Sequence, residues 1–237
     1  VSTLEISTQR KIINKKNDKK DSVLYLLVDF KYDTHYIQRL LDFKDEKNNL
    51  LLDINISNMS FNTPLHRAID IENNEVTKLL IEHGAHLNLL NQRDFAPLHI
   101  AVLRNNYNIV QLLIDKGADI NFQDRSLRTA LHMSMEEHVD SQMVRLLLSN
   151  KIEHGVKANF EVDGEDKVYT SLMLICCCFL NLEKVDVLLE FSKEKDLVDL
   201  QDAKRVASEE GHLEIVSKIT LKILEFESLA LETSGEE

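Results

Sequence analysis

The amino-acid sequence predicts an all-α solenoid of stacked helix pairs, and three observations predict it. A segment repeats itself at a fixed offset of 33 residues. Within each period, apolar residues recur at helical spacing in two short blocks. Turn-forming residues are scarce, with 6 Gly and 2 Pro in 237 residues, which leaves little material for a β-sandwich or for a glycine-rich phosphate loop. The 43% hydrophobic and 29% charged content is that of an ordinary folded chain.

The repeat is explicit. Thr63-Pro64-Leu65-His66-Arg67-Ala68 returns as Ala96-Pro97-Leu98-His99-Ile100-Ala101, and again as Thr129-Ala130-Leu131-His132-Met133-Ser134, each 33 residues on. Leu79 to Asn88 aligns in the same way with Leu112 to Asn121. Pro64 and Pro97 suit a first helical turn, where a missing N–H is no loss. Leu65, Ala68 and Ile69, then Val76, Leu79 and Leu80, form one apolar stripe on each of two helices. Gly84 and Gly117 fall just past the second helix, where a left-handed residue ends it. Neither helix buries its stripe alone, so the pairs must stack. A 33-residue period carrying this T-P-L-H-x-A pattern resembles the ankyrin-repeat family.

Taken in order, residues 1–20 carry six basic and two acidic side chains and form a basic segment, helix or tail. The repeat domain is expected over 21–227, as approximate repeats 21–60, 61–93, 94–127, 128–168, 169–201 and 202–227, with short β-hairpin loops between six helix pairs. Ser22 to Asp42 reads as the first pair, with Val23, Leu24 and Leu27 followed by Ile37, Leu40 and Leu41. Thr170-Ser171-Leu172-Met173 keeps part of the motif and Leu182 to Leu189 restores a second helix. Ala203 to Ala207 and Gly211 to Val216 give the last pair, and 228–237 is an acidic tail. The period breaks once: Leu131 to Leu172 spans 41 residues. The excess predicts an irregular junction between 149 and 170, with Phe160 to Val168 lengthening one hairpin around the turn signal Asp163-Gly164.

The net charge of −12 opposes nucleic acid as a partner, and no apolar run is long enough to span a membrane. The three Cys are adjacent, Cys176, Cys177 and Cys178. They cannot build a disulfide framework and predict a reduced, intracellular protein, cytoplasmic or nucleocytoplasmic. On a helix three successive thiols diverge by about 100° each, so they do not share a metal ion. No zinc motif, nucleophile elbow or phosphate loop is present, so neither catalysis nor a cofactor is expected. His66, His99 and His132 sit in successive repeats instead of converging on one ion. The resemblance implies that each bonds around its own turn and to the next repeat.

The resemblance also implies a protein–protein interaction module, in which hairpin and first-helix residues touch the partner. That register selects Met59, Ser60, Asn62, Asp70 and Ile71, then Gln92, Arg93, Phe95, Leu103 and Arg104. In the third repeat it selects Arg125, Ser126, Arg128, Glu136 and Glu137. Phe95 beside Arg93 and Arg104 has a hot-spot composition. Residues 183–237 hold 15 acidic and 7 basic side chains, an acidic end suited to steering a basic partner segment. Abundant Asn, Ile and Lys suggest an AT-rich genome, and with the degenerate repeats a pathogen protein acting on host signalling. The expectation is a monomeric, non-catalytic binder. The alternative is a targeting arm of an enzyme or ubiquitin-ligase subunit whose other domain lies elsewhere.

Overall fold

The computed structural model describes residues 3–44, 51–150, 158–162, 165–170 and 181–234. It divides into two compact units, Val1–Asp119 and Ile120–Glu237.

The first unit opens with α1 (Thr3–Ile13), so the basic segment is a helix for most of its length. Three helix pairs follow: α2 (Val23–Asp29) with α3 (Thr34–Leu41), α4 (Pro64–Asp70) with α5 (Asn74–Glu82), and α6 (Pro97–Leu103) with α7 (Tyr107–Asp115). First helices pack on first helices (α2 on α4, α4 on α6) and second helices on second helices (α3 on α5, α5 on α7). The apolar stripes meet in one continuous core. Leu24, Val28, Ile37, Leu65, Ile69, Val76, Leu80, Ile109 and Leu113 are all buried.

Local chemistry sets the ends of these helices. Pro64 starts α4 as predicted, with Thr63 as its cap, and Asn73 and Asn106 cap α5 and α7 by accepting the N–H groups of Val76 and Ile109. Gly84 (φ +84°) and Gly117 (φ +88°) occupy the left-handed position after α5 and α7, where a Cβ is strained.

The second unit contains α8 (Ala130–Met133), α9 (Ser141–Ser149) and a two-stranded antiparallel sheet of β1 (Ala158–Val162) and β2 (Glu165–Tyr169). It continues through α10 (Leu182–Phe191), a short 3-10 turn at Glu194–Asp196, α11 (Leu197–Glu209) and α12 (Leu213–Ser234). Again second helices stack, α9 on α10 and α10 on α12, and α11 packs on α12. Val162 faces Glu165 across the sheet, so residues 163 and 164 alone link its strands, as the Asp-Gly signal predicts. The stretch read as an acidic tail belongs to α12 as far as Ser234. Ser171 to Met173 and the three cysteines lie outside the described residues. Among the described residues, no helix is long and apolar enough to cross a membrane, and no three His, Cys, Asp or Glu side chains are grouped to hold a metal ion.

Candidate protein-binding surface

The hairpin fingers that join the repeats are built by one recurrent device. Asn17, Asn58, Asn91 and Asp124 each begin a finger and accept, through one side-chain oxygen, the N–H groups two and four residues on. Two backbone bonds close each hairpin: in the second finger Asn58 N–H donates to Asn62 O and Phe61 N–H to Asn58 O, each at 3.0 Å. Neighbouring fingers are zipped by the backbone, with Met59 N–H donating to Lys19 O at 3.1 Å and Gln92 N–H to Ser60 O at 2.8 Å. The Asn91 side-chain amide adds a 2.9 Å bond to Asn62 Oδ1. The predicted β-hairpin loops are thus tight turns here. Among the described residues the only paired strands are β1 and β2.

The fourth residue of each finger adopts the left-handed conformation without being glycine: Lys20 (φ 61°), Phe61 (φ 56°), Asp94 (φ 62°) and Leu127 (φ 62°). A bulky side chain there costs about 1 kcal/mol or more. Phe61 is nevertheless 56% exposed and Met59 59% exposed. The sequence reading missed Phe61, because the family register alone does not show which finger residue has a positive φ. Its signal was the absence of Gly three residues after the finger Asn.

Behind the fingers the histidines act as struts. His66 is fully buried, and its Nδ1 accepts Thr63 N–H at 3.2 Å. That fixes the proton on Nε2, which donates to Leu89 O (2.9 Å) and, in the following repeat, to Phe95 O (3.1 Å). Burial lowers its pKa to about 4, so the ring is neutral. His99 and His132 repeat the bond from the N-cap N–H, at 3.2 and 3.1 Å. The implied role of these histidines, around their own turn and across to the next repeat, is therefore present at His66.

The predicted contact residues divide by their surroundings. Met59, Gln92 and Arg93 are exposed on adjacent fingers, and Arg93 makes no ion pair among the described residues. Asn62 and Phe95 are half-buried, and Phe95 is anchored through its backbone. Asp70 and Arg104 belong to a ladder of ion pairs on the first helices. Arg67 bonds Asp29 at 2.6 Å and Asp70 at 2.9 Å, and Arg104 bonds Asp70 at 2.6 Å. Leu103 is half-buried beside it, and Ile71 likewise. In the second unit Arg125 and Glu137 are exposed and Ser126 is half-buried. Arg128 is tied to the buried Asp124 at 2.7 Å, and Glu136 gives its carbonyl to Lys184.

Comparison with known proteins agrees with this architecture. The profile of ankyrin repeats (three copies) matches residues 9–124 and 85–166. The chain belongs to the ankyrin-repeat family. Among solved structures, the ankyrin repeat domain of Bcl-3, described as a unique member of the IkappaB protein family, superposes with a TM-score of 0.59. It is 24% identical, and the match covers 78% of each chain, which supports the shared fold alone. No curated protein matches the chain. Ankyrin repeats are an interaction fold, and the ankyrin-repeat architecture makes this chain a protein–protein interaction module.

Proposed function

We propose that this module binds a partner protein without catalysing a reaction, through the fingers and first helices of its first unit. One observation carries the reading: a rigid row of fingers, braced by Asn side chains and zipped backbone to backbone, holds Met59, Phe61, Gln92 and Arg93 exposed. Backbone strain is retained at Phe61 where glycine would remove it, and such strain clusters at functional positions. A preformed surface loses little conformational entropy on binding. Phe61 and Met59 supply apolar anchors, and Arg93 supplies an uncommitted fork of donors.

In this reading the acidic residues of 183–237 steer a partner that carries a basic segment. The protein works inside a cell as a monomer, as a pathogen effector would in its host. A role as the targeting arm of a larger enzyme or ligase uses the same surface and differs only in what is attached.

The test is affinity capture with the purified protein, compared with a Phe61→Ser, Arg93→Glu variant of unchanged melting temperature. Partners retained by the natural chain are expected to disappear with the variant. Identical capture by both would remove the fingers from the binding surface.

A further inference from the structure

A second apolar surface, lined by no finger residue, lies at the N-terminal end of the first unit. A groove of about 540 Å³ is lined by Ile13 of α1, Leu27 of α2, Tyr32, and Tyr36, Arg39 and Phe43 on and after α3. Its aromatic side chains are uncovered: Tyr36 is 57%, Tyr32 52% and Phe43 47% exposed. The size is that of a ligand-holding cleft, roughly 300–1,000 Å³. A contiguous apolar patch with Tyr and Arg at its rim has the composition of an interaction site.

Charge separates this end from the rest of the chain. Residues 3–13 and 23–44, the stretches that supply the groove's lining, carry five basic and four acidic side chains, in a protein whose net charge is −12. Arg39 is the only charged residue lining the groove, and it makes no ion pair among the described residues. Nearby carboxylates are committed: Asp29 to Arg67, Asp33 to the N-terminus of α3, and Asp42 to Gln38 and His83.

We propose that this groove takes an acidic amphipathic helix from a partner protein, with its aliphatic side chains among Leu27, Tyr36 and Phe43 and a carboxylate on Arg39. A helix laid along a cleft between helices is an established recognition mode, and the uncommitted Arg39 favours an acidic occupant. Since the finger row takes no part, this proposal and the finger reading fail independently.

The probe is a fluorescent helical peptide with leucine every three or four residues and glutamate between, beside a twin with lysine for glutamate. The acidic peptide is expected to bind saturably below about 100 μM, at least about tenfold tighter than its twin, and more weakly as salt rises. Tyr36→Ser and Arg39→Glu, both at exposed positions, are expected to weaken it at least about tenfold with melting temperature unchanged. Phe61→Ser is expected to leave it unaltered. Equal binding of the two peptides, absence of saturation, or insensitivity to Tyr36 and Arg39 would each overturn the proposal. Sedimentation showing self-association that Tyr36→Ser abolishes would assign the groove to a second copy and overturn it as well.

Discussion

The repeat of α4 and α5 and the repeat of α8 and α9 begin from the same motif and end differently. In α4 the first helix runs seven residues, Pro64–Asp70; α8 stops after four, Ala130–Met133. Ala130 stands where Pro64 does, and the Ser134 hydroxyl donates to Leu131 O at 2.7 Å, competing with the helical backbone pattern. The shortened helix is finished by another part of the unit. Lys184, fully buried, donates from Nζ to Glu136 O at 2.6 Å. Lys184 is third in α10, the place held by Val76 in α5, Ile109 in α7 and Met143 in α9, all buried apolar residues. A cation in the solenoid core and a truncated first helix are therefore two halves of one local arrangement. Regular repeats also bond to their neighbours, His66 to Phe95 O and Arg104 to Asp70, but there the third position of the second helix stays apolar, whereas here it holds the bonding lysine.

The largest expected effect lies in the regular repeat. His66→Ala removes the acceptor for Thr63 N–H and the donor to Leu89 O and Phe95 O at a buried site. It should cost roughly 2–4 kcal/mol in urea unfolding. The same residue gives acid sensitivity. Its folded pKa of about 4 lies below the ordinary 6.5, so the unfolded chain binds the proton first. Its contribution is complete above pH 6.5 and is lost as pH falls toward 4, by up to about 3 kcal/mol. His66→Gln should flatten that slope, and an unchanged acid profile would show that other groups set it.

The irregular repeat should respond in the opposite direction. Burial lowers the Lys184 pKa to about 8, against the weaker pull of Glu136 and Asp140. The unfolded lysine keeps its proton to about pH 10.5, so this group makes stability rise between pH 8 and 10.5. Lys184→Met should stabilise the chain by about 1–3 kcal/mol at pH 7 and abolish that rise, since Glu136 O still accepts Val139 N–H at 3.1 Å. Loss of stability instead would mean that the ammonium is integral to this turn.

Smaller differences sharpen the contrast. A two-stranded sheet is marginal by itself, so amides of β1 and β2 should exchange faster than those of Leu98–Leu113. Equal protection would make the hairpin part of the core. At the finger tips, Phe61→Gly and Leu127→Gly relieve positive-φ strain and should each stabilise by at most about 1 kcal/mol. If Phe61 serves binding, its glycine variant gains stability and loses partner affinity together.

The family, the helix pairs and the strut histidines were legible in the sequence because they are local and periodic: a 33-residue repeat fixes which residues share a stripe, and Pro, Thr and Gly mark helix ends. The pairing of β1 with β2 was legible from a local signal, the Asp163-Gly164 dipeptide between them. The candidate surface was legible only in part. The register selected Met59 and Arg93, which are exposed, but Asp70, Arg104 and Arg128 are committed to ion pairs: Asp70 to Arg67 and, across repeats, to Arg104, and Arg128 to Asp124. Phe61 emerged only from its backbone angle, and the N-terminal groove only from the packing of α1, α2 and α3. Lys184 as well was invisible as an anomaly, since a lysine among core positions acquires meaning only when the carbonyl it meets, 48 residues earlier, is brought beside it. Sequence period thus determined which faces are buried, because burial repeats with the helix. Tertiary structure decided which polar groups are spoken for, because their partners come from neighbouring repeats whose side chains do not repeat.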